Sequence, residues 1–143
     1  MNYFSSFIQQ LPTIPWTADA SQSTPPAENY VLIWTDGTID KNNEDSKKVL
    51  AQFRKIIKKV QDYTEPEQCI NWLKETNNKK ALVICSGALG EGLVSKIHDM
   101  PNVVGIYIFC GNKAWHEVWA KKWVKILGVH TEVDPICKSI EKV

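Results

Sequence analysis

Residues 80–92 read Lys-Ala-Leu-Val-Ile-Cys-Ser-Gly-Ala-Leu-Gly-Glu-Gly, and this stretch decides how the rest of the chain is arranged. Its first part, 81–85, is almost wholly apolar, which is typical of a strand buried on both faces of a parallel sheet. Its second part, 86–92, is a turn of small residues, and apolar residues at helical spacing follow it. This order predicts that 86–92 lie at the carboxyl edge of an open α/β sheet, where ligands collect.

The same alternation of strand and helix signals continues along the chain. Strands are predicted over 30–35, 62–63, 81–85, 103–110 and 125–131. The first helix is predicted over about 44–60, and the second runs from a capping box at Thr64 to Glu75. The third follows the 86–92 turn and ends at Asp99. The fourth follows an N-cap at Asn112, and the fifth begins at Asp134-Pro135. Right-handed crossovers then put helices on both faces of the sheet.

The predicted fold class is therefore α/β, a flavodoxin-like three-layer sandwich. Its five-stranded parallel sheet is expected in the order 2-1-3-4-5, and the switch point between the first and third strands brings Asp36 beside Ser86 and Gly87.

Residues 1–28 differ from this pattern: a few aromatics precede a Pro- and Ser-rich linker. We therefore divide the chain into a tail and linker, 1–28, and one α/β domain, 29–143. The tail aromatics are expected to cover an apolar patch of the domain, the alternative being a docking peptide for a partner.

Composition restricts the classes of partner and compartment. The chain has 143 residues, 17 basic and 16 acidic, with a net charge of +1. This balance predicts neither nucleic acid nor an anionic membrane as partner. No apolar run reaches the ~20 residues of a membrane helix, and no signal peptide is expected. The four cysteines are widely spaced, so we interpret them as free thiols in a reducing, cytoplasmic compartment.

The candidate ligand-binding residues lie at the carboxyl edge of the predicted sheet. They are Asp36, Ser86, Gly87, Gly90 and Asn112. Glycines let a ligand approach the backbone, and the helix after them offers free amides to an anion. The spacing matches neither the dinucleotide-binding fingerprint nor a Walker loop, so a purely structural turn is the favoured interpretation and no cofactor is expected.

Two further groups of residues carry hypotheses. Cys85, Cys110 and His116 allow a thiol nucleophile, but buried cysteines are common packing residues, and no metal site matches their spacing. Trp115, Trp119 and Trp123 repeat every four residues, which is typical of a helix packed on a sheet. If one of these indoles is exposed, the helix becomes the first candidate for partner binding, so Trp115 and Trp119 are the partner-binding candidates.

The alternation and the acidic turn after the first strand resemble the receiver domains of two-component signalling. That resemblance implies an acidic pair, which Asp36 and Asp40 would supply. The positions of the receiver's acceptor aspartate, hydroxyl residue and lysine hold Cys85 or Ser86, Cys110, and His130 or Thr131. The resemblance therefore implies a degenerate receiver without aspartyl phosphorylation.

Two other resemblances concern longer segments. VLIWTDGTIDKNNED and LVICSG are similar to Toll/interleukin-receptor domains, although the segment that carries their NAD-cleaving glutamate has no counterpart. SGALG, IHD-P, IYIFCGNK, HE-WA and PIC resemble an uncharacterised domain of rotifer-type multidomain proteins, found near ADP-ribosyltransferase or tetratricopeptide regions. We therefore expect a non-catalytic signalling or regulatory module that binds a protein partner or a neighbouring domain. The alternative is a nucleotide- or NAD-related enzyme or ligand-binding domain that uses residues 86–92.

Overall fold

The computed structural model describes residues 30–142, in which strands and helices alternate strictly. The strands are β1 (Tyr30–Thr35), β2 (Lys59–Tyr63), β3 (Lys80–Ser86), β4 (Val103–Phe109) and β5 (Ile126–His130). The helices are α1 (Glu44–Arg54), α2 (Pro66–Glu75), α3 (Gly87–Ile97), α4 (Lys113–Ala120) and α5 (Val133–Glu141). The strand pairings are parallel and the order is β2-β1-β3-β4-β5, which confirms the predicted flavodoxin-like fold.

The core consists of two apolar layers, one on each face of the sheet. Successive side chains of a strand point to opposite faces. In β1, Val31 and Ile33 therefore pack with α2, α3 and α4, whereas Leu32 and Trp34 pack with α1 and α5. Three layers result, and β3 is buried on both faces over Ala81 to Cys85, as its apolar run predicted.

The prediction of α1 was wrong at its end. The helix ends at Arg54, and the Phe53 carbonyl then accepts the N–H groups of both Ile56 and Ile57 in a tight turn. Val60, assigned to the helical stripe, lies in β2 beside Leu32 of β1. Apolar residues at 56, 57 and 60 continue the helical spacing, but pairing with β1 begins the second strand at Lys59.

Two helix starts also differ from the prediction by one or two residues. The α2 N-cap is Glu65 rather than Thr64, and Gln68 Oε1 accepts the Glu65 N–H at 3.3 Å. α5 begins at Val133, before the expected cap at Asp134. The predicted N-cap at Asn112 is confirmed, since its side chain accepts the Trp115 N–H at 3.1 Å.

The tail and linker assigned to 1–28 lie outside the described residues, so the division of the chain stays a prediction. Within 30–142, none of the helices has the length and apolar character needed to cross a membrane.

Candidate functional site

The expected turn at 86–92 is absent, because α3 begins directly after β3. Ser86 ends the strand and caps the helix, its hydroxyl accepting the Leu89 N–H at 3.3 Å. Gly87, Gly90 and Gly92 are all helical, and none of them has a positive φ. The expectation that these glycines relieve a strained turn was therefore wrong.

Close packing of α4 against α3 explains two of these glycines instead. A Cβ atom on Gly87 would overlap Nε2 of His116. A Cβ atom on Gly90 would lie 3.0 Å from Cη2 of Trp119 and 3.3 Å from Cδ1 of Ile108, closer than ordinary van der Waals contact. The pattern Gly-Ala-Leu-Gly could have indicated this, since residues three apart share one face of a helix.

Trp119 and His116 form one unit on the inner side of α4. The Trp119 Nε1–H donates to Nδ1 of His116 at 3.0 Å, and the two rings meet edge to face with centroids 6.0 Å apart. Because the indole only donates, Nδ1 is an acceptor and a neutral His116 carries its proton on Nε2. That N–H points at the start of α3. The sequence had assigned His116 only as a possible partner of a thiol.

A cleft of about 430 Å³ lies at the carboxyl edge of the sheet. Its lining consists of Asp36, Thr38, Ser86, Gly87, Ala88, Phe109, Cys110, Gly111, His116 and Thr131. Of the predicted ligand residues, Asp36, Ser86 and Gly87 are thus brought together. Gly90 lies beneath Trp119 instead, and Asn112 caps α4 next to the lining residue Gly111.

The charge of the cleft is negative. Within the described part of the chain, its lining contains one carboxylate, Asp36, and no lysine or arginine. Oδ1 of Asp36 accepts the N–H of Thr38 at 2.9 Å and its hydroxyl at 2.8 Å, which fixes the carboxylate at the end of β1. A phosphate in this cleft would meet a negative charge without a cation to offset it.

The thiols near the cleft are poor nucleophiles. Burial raises the pKa of the fully buried Cys85 strongly, and the nearby Cys69 and Asp36 raise it further. Burial also raises the pKa of Cys110, despite a backbone hydrogen bond from Asn112 that lowers it. Because the thiolate is the reactive form, the geometry gives the thiol-nucleophile hypothesis no support. Within 30–142, His, Cys, Asp and Glu side chains form no group of three that could hold a metal ion.

The ends of the strands do not carry the residues that the receiver resemblance would require. β3 ends in Cys85 and Ser86, β4 in Phe109 and β5 in His130, so these positions hold no aspartate and no lysine. Burial lowers the pKa of His130, and the charge of Lys113 lowers it further.

The partner-binding candidates on α4 separate into a core residue and a surface residue. Trp119 is 8% exposed and packs in the core, whereas Trp115 is 70% exposed. Val118, one turn after Trp115, is 72% exposed. We call Trp115 and Val118 the α4 surface. Trp123, expected on the same helix, lies beyond its end at Ala120 and packs against His98 with ring centroids 4.9 Å apart.

The topology defines the class of the protein: a five-stranded parallel α/β domain of the flavodoxin-like fold. Comparison of the chain with protein-family models, with curated proteins and with solved structures found no match.

Proposed function

We propose that the domain is a non-catalytic signalling or regulatory module whose α4 surface contacts a protein partner or a neighbouring domain of a longer chain. The observation that supports this most is the exposure of Trp115 and Val118, at 70% and 72%. Residues three apart are neighbours on a helix, so the two side chains form one apolar strip. Tryptophan is enriched among the residues that dominate binding energy in protein interfaces, and an exposed indole has no role in the fold.

The chemistry of the cleft also favours a module over an enzyme. Its thiol side chain, Cys110, has a raised pKa, and the Nδ1 atom of His116 is occupied by Trp119. Asp36 is held by both donors of Thr38. The raised pKa thus favours the protonated thiol of Cys110, Nδ1 of His116 already accepts a hydrogen bond, and the carboxylate of Asp36 is held in place. The module we propose is a degenerate receiver-like domain, related to the rotifer-type domain that its sequence resembles.

The second candidate is a ligand-binding domain for nucleotides or NAD-related molecules, which resembles Toll/interleukin-receptor domains. The cleft itself favours it, because a volume of about 430 Å³ at the carboxyl edge is of the size that small ligands occupy. The Nε2–H of His116 could donate to such a ligand. The carboxylate of Asp36 opposes a phosphate there, so we rank this candidate second.

The compartment follows from the thiols. Cys69, Cys85, Cys110 and Cys137 are all free. Two of them are fully buried, and free thiols persist where the surroundings are reducing. We therefore propose a cytoplasmic location.

Site-specific photocrosslinking in the native host tests the proposed α4 surface. A photoreactive amino acid replaces Trp115 in one variant and Asn71, an exposed residue of α2, in the control variant. We expect a discrete crosslinked product from position 115, with its partner identified by mass spectrometry, and none from position 71. Equal, diffuse crosslinking from both positions would contradict the assignment of the α4 surface.

A further inference from the structure

Most of the exposed charges of the domain are segregated by sign between the two ends of its sheet. We call the end where the strands begin the amino edge and the end where they finish the carboxyl edge. Three exposed carboxylates, Glu75, Asp99 and Glu141, lie at the amino edge among a larger number of basic residues. Arg54 and Lys55 end α1 at the amino edge, and Lys58 and Lys59 follow them into β2. Lys59 and Lys80 lie beside Val31 and Tyr30 at the start of β1, so the basic residues of β2 and β3 share one level of the sheet.

The basic surface continues to the opposite side of the amino edge. Lys121 and Lys122 are exposed in the connection from α4 to β5, and Val124 in the same connection is 90% exposed. Lys125 donates to the Met100 carbonyl at 2.8 Å, which joins the loops before β5 and β4. Among residues 30–142, no carboxylate forms an ion pair with the exposed cations Arg54, Lys55, Lys58, Lys59, Lys80, Lys121 or Lys122.

The carboxyl edge has the opposite charge. Its exposed acidic residues lie in the loops after β1, β2 and β5 and in the first turns of the helices: Asp40, Glu44, Asp45, Glu65, Glu132 and Asp134. Three lysines of this edge are already paired: Lys41 with Asp62 at 3.3 Å, Lys47 with Glu44 at 3.4 Å and Lys113 with Glu117 at 4.0 Å. A fourth, the exposed Lys48, lies near Asp45, Glu132 and Asp134. Asp45, Glu65 and Glu132 keep their charges without an ion pair in the described part of the chain.

Helix dipoles explain only part of this segregation. Each helix runs from the carboxyl edge to the amino edge, and its dipole favours acidic residues at its start and basic residues at its end. Lys58, Lys59 and Lys80 lie in loops or strands and gain nothing from a dipole. The net charge of the chain is only +1 because the positive charge of the amino edge and the negative charge of the carboxyl edge nearly cancel.

We propose that the amino edge of one copy docks on the carboxyl edge of a second copy, in a head-to-tail arrangement. The two faces have complementary charge, and Val124 supplies an apolar contact within the basic one. Five strands and two helical layers give each face roughly 20 Å by 30 Å, about 600 Å², which approaches the ~800 Å² per partner of a standard interface. A head-to-tail contact uses different surfaces on each copy and therefore builds open chains. A docked copy would cover the cleft, which opens at the carboxyl edge. The contact depends on the charges of the two edges and not on a ligand or on the α4 surface, so it does not rest on the function proposed above.

Sedimentation velocity of the full chain tests this proposal. At about 50 mM NaCl we expect a weight-average mass that rises with protein concentration, and at about 500 mM NaCl a return to the monomer, because salt screens the attraction. A monomer at all concentrations in low salt would overturn the proposal.

Charge reversal identifies the two faces. Lys58→Glu/Lys59→Glu reverses two positive charges of the amino edge, and Asp45→Lys/Glu132→Lys reverses two negative charges of the carboxyl edge, so each variant alone is expected to associate more weakly than the original chain. An equimolar mixture is expected to form mixed dimers, because each variant keeps one native face. Lys47→Glu/Lys48→Glu makes the same change in net charge in the first half of α1 and leaves the amino edge unchanged, so this control is expected to associate as the original chain does.

Two further outcomes would overturn the proposal. One is a mixture that stays monomeric although circular dichroism shows both variants folded. The other is an original chain that stays monomeric in low salt but binds vesicles of anionic lipid or single-stranded RNA, with binding lost in Lys58→Glu/Lys59→Glu. That result would assign the basic edge to a polyanion rather than to a second copy.

Discussion

Adding a methyl group to Gly90 or to Gly92 tests how α3 and α4 pack. Both glycines are helical, and replacing a glycine inside a helix with alanine gains about 1 kcal/mol from propensity alone. A Cβ atom on Gly92 meets nothing within 4 Å, so Gly92→Ala is expected to stabilise the fold by about that amount. It is the matched control for the buried position.

The same methyl group on Gly90 has no free space. It would lie 3.0 Å from Cη2 and 3.2 Å from Cζ2 of Trp119, whose ring is held by its bond to His116. Overpacking of this kind costs about 1–3 kcal/mol, which offsets or exceeds the propensity gain. We therefore expect Gly90→Ala to be less stable than Gly92→Ala by about 1–3 kcal/mol.

Urea unfolding followed by far-ultraviolet circular dichroism measures this difference. It corresponds to a separation of the two midpoints on the order of 1 M, with equal slopes. In a Trp119→Phe background, which removes the ring atoms nearest to Gly90, the separation is expected to shrink. Equal stabilisation by Gly90→Ala and Gly92→Ala would refute close packing as the reason for glycine at position 90.

Three further outcomes are expected. Trp119→Ala should destabilise the fold by about 3–5 kcal/mol, whereas Trp115→Ala should leave the free energy of unfolding within about 0.5 kcal/mol of the original, because only Trp119 is buried. The folded state lowers the pKa of His130, so the unfolded chain binds its proton first and stability should fall as pH drops below about 6.5. His130→Gln should flatten that part of the stability profile. Cys85, and Cys69 with a pKa raised to about 11, should resist a thiol reagent at neutral pH until urea unfolds the protein; rapid labelling in the native state would contradict their burial.

The sequence determined the order of the elements better than their ends. The apolar run of β3 predicted a strand buried on both faces, and the position of Asp36 followed from the switch point of the sheet. The end of α1 could not be predicted, because apolar residues at 56, 57 and 60 continue its helical spacing. Pairing with β1, a contact between distant segments, places Val60 in a strand instead.

The candidate site was predicted in position but not in character. Small residues after a strand indicated a turn, whereas the chain uses glycine to let His116 and Trp119 approach α3. That contact joins residues about thirty positions apart, so the Gly-Ala-Leu-Gly pattern indicates a small face on α3 but not which residues pack against it. The segregation of charge could not be predicted from the net charge of the chain either, because it depends on which end of the sheet each loop reaches.

The free energy of unfolding in the presence of nucleotides tests most directly whether the domain acts through its surface or through its cleft. Urea unfolding would be measured without ligand and with ATP, GTP, NAD and ADP-ribose, each at about 1 mM. A ligand present at 100 times its dissociation constant stabilises the fold by about 2.7 kcal/mol. We expect no change in the midpoint with any of the four, because Asp36 places a negative charge in a cleft without a lining cation. Stabilisation of that size by one nucleotide, lost in His116→Ala, would contradict the proposed module and establish the cleft as a ligand site.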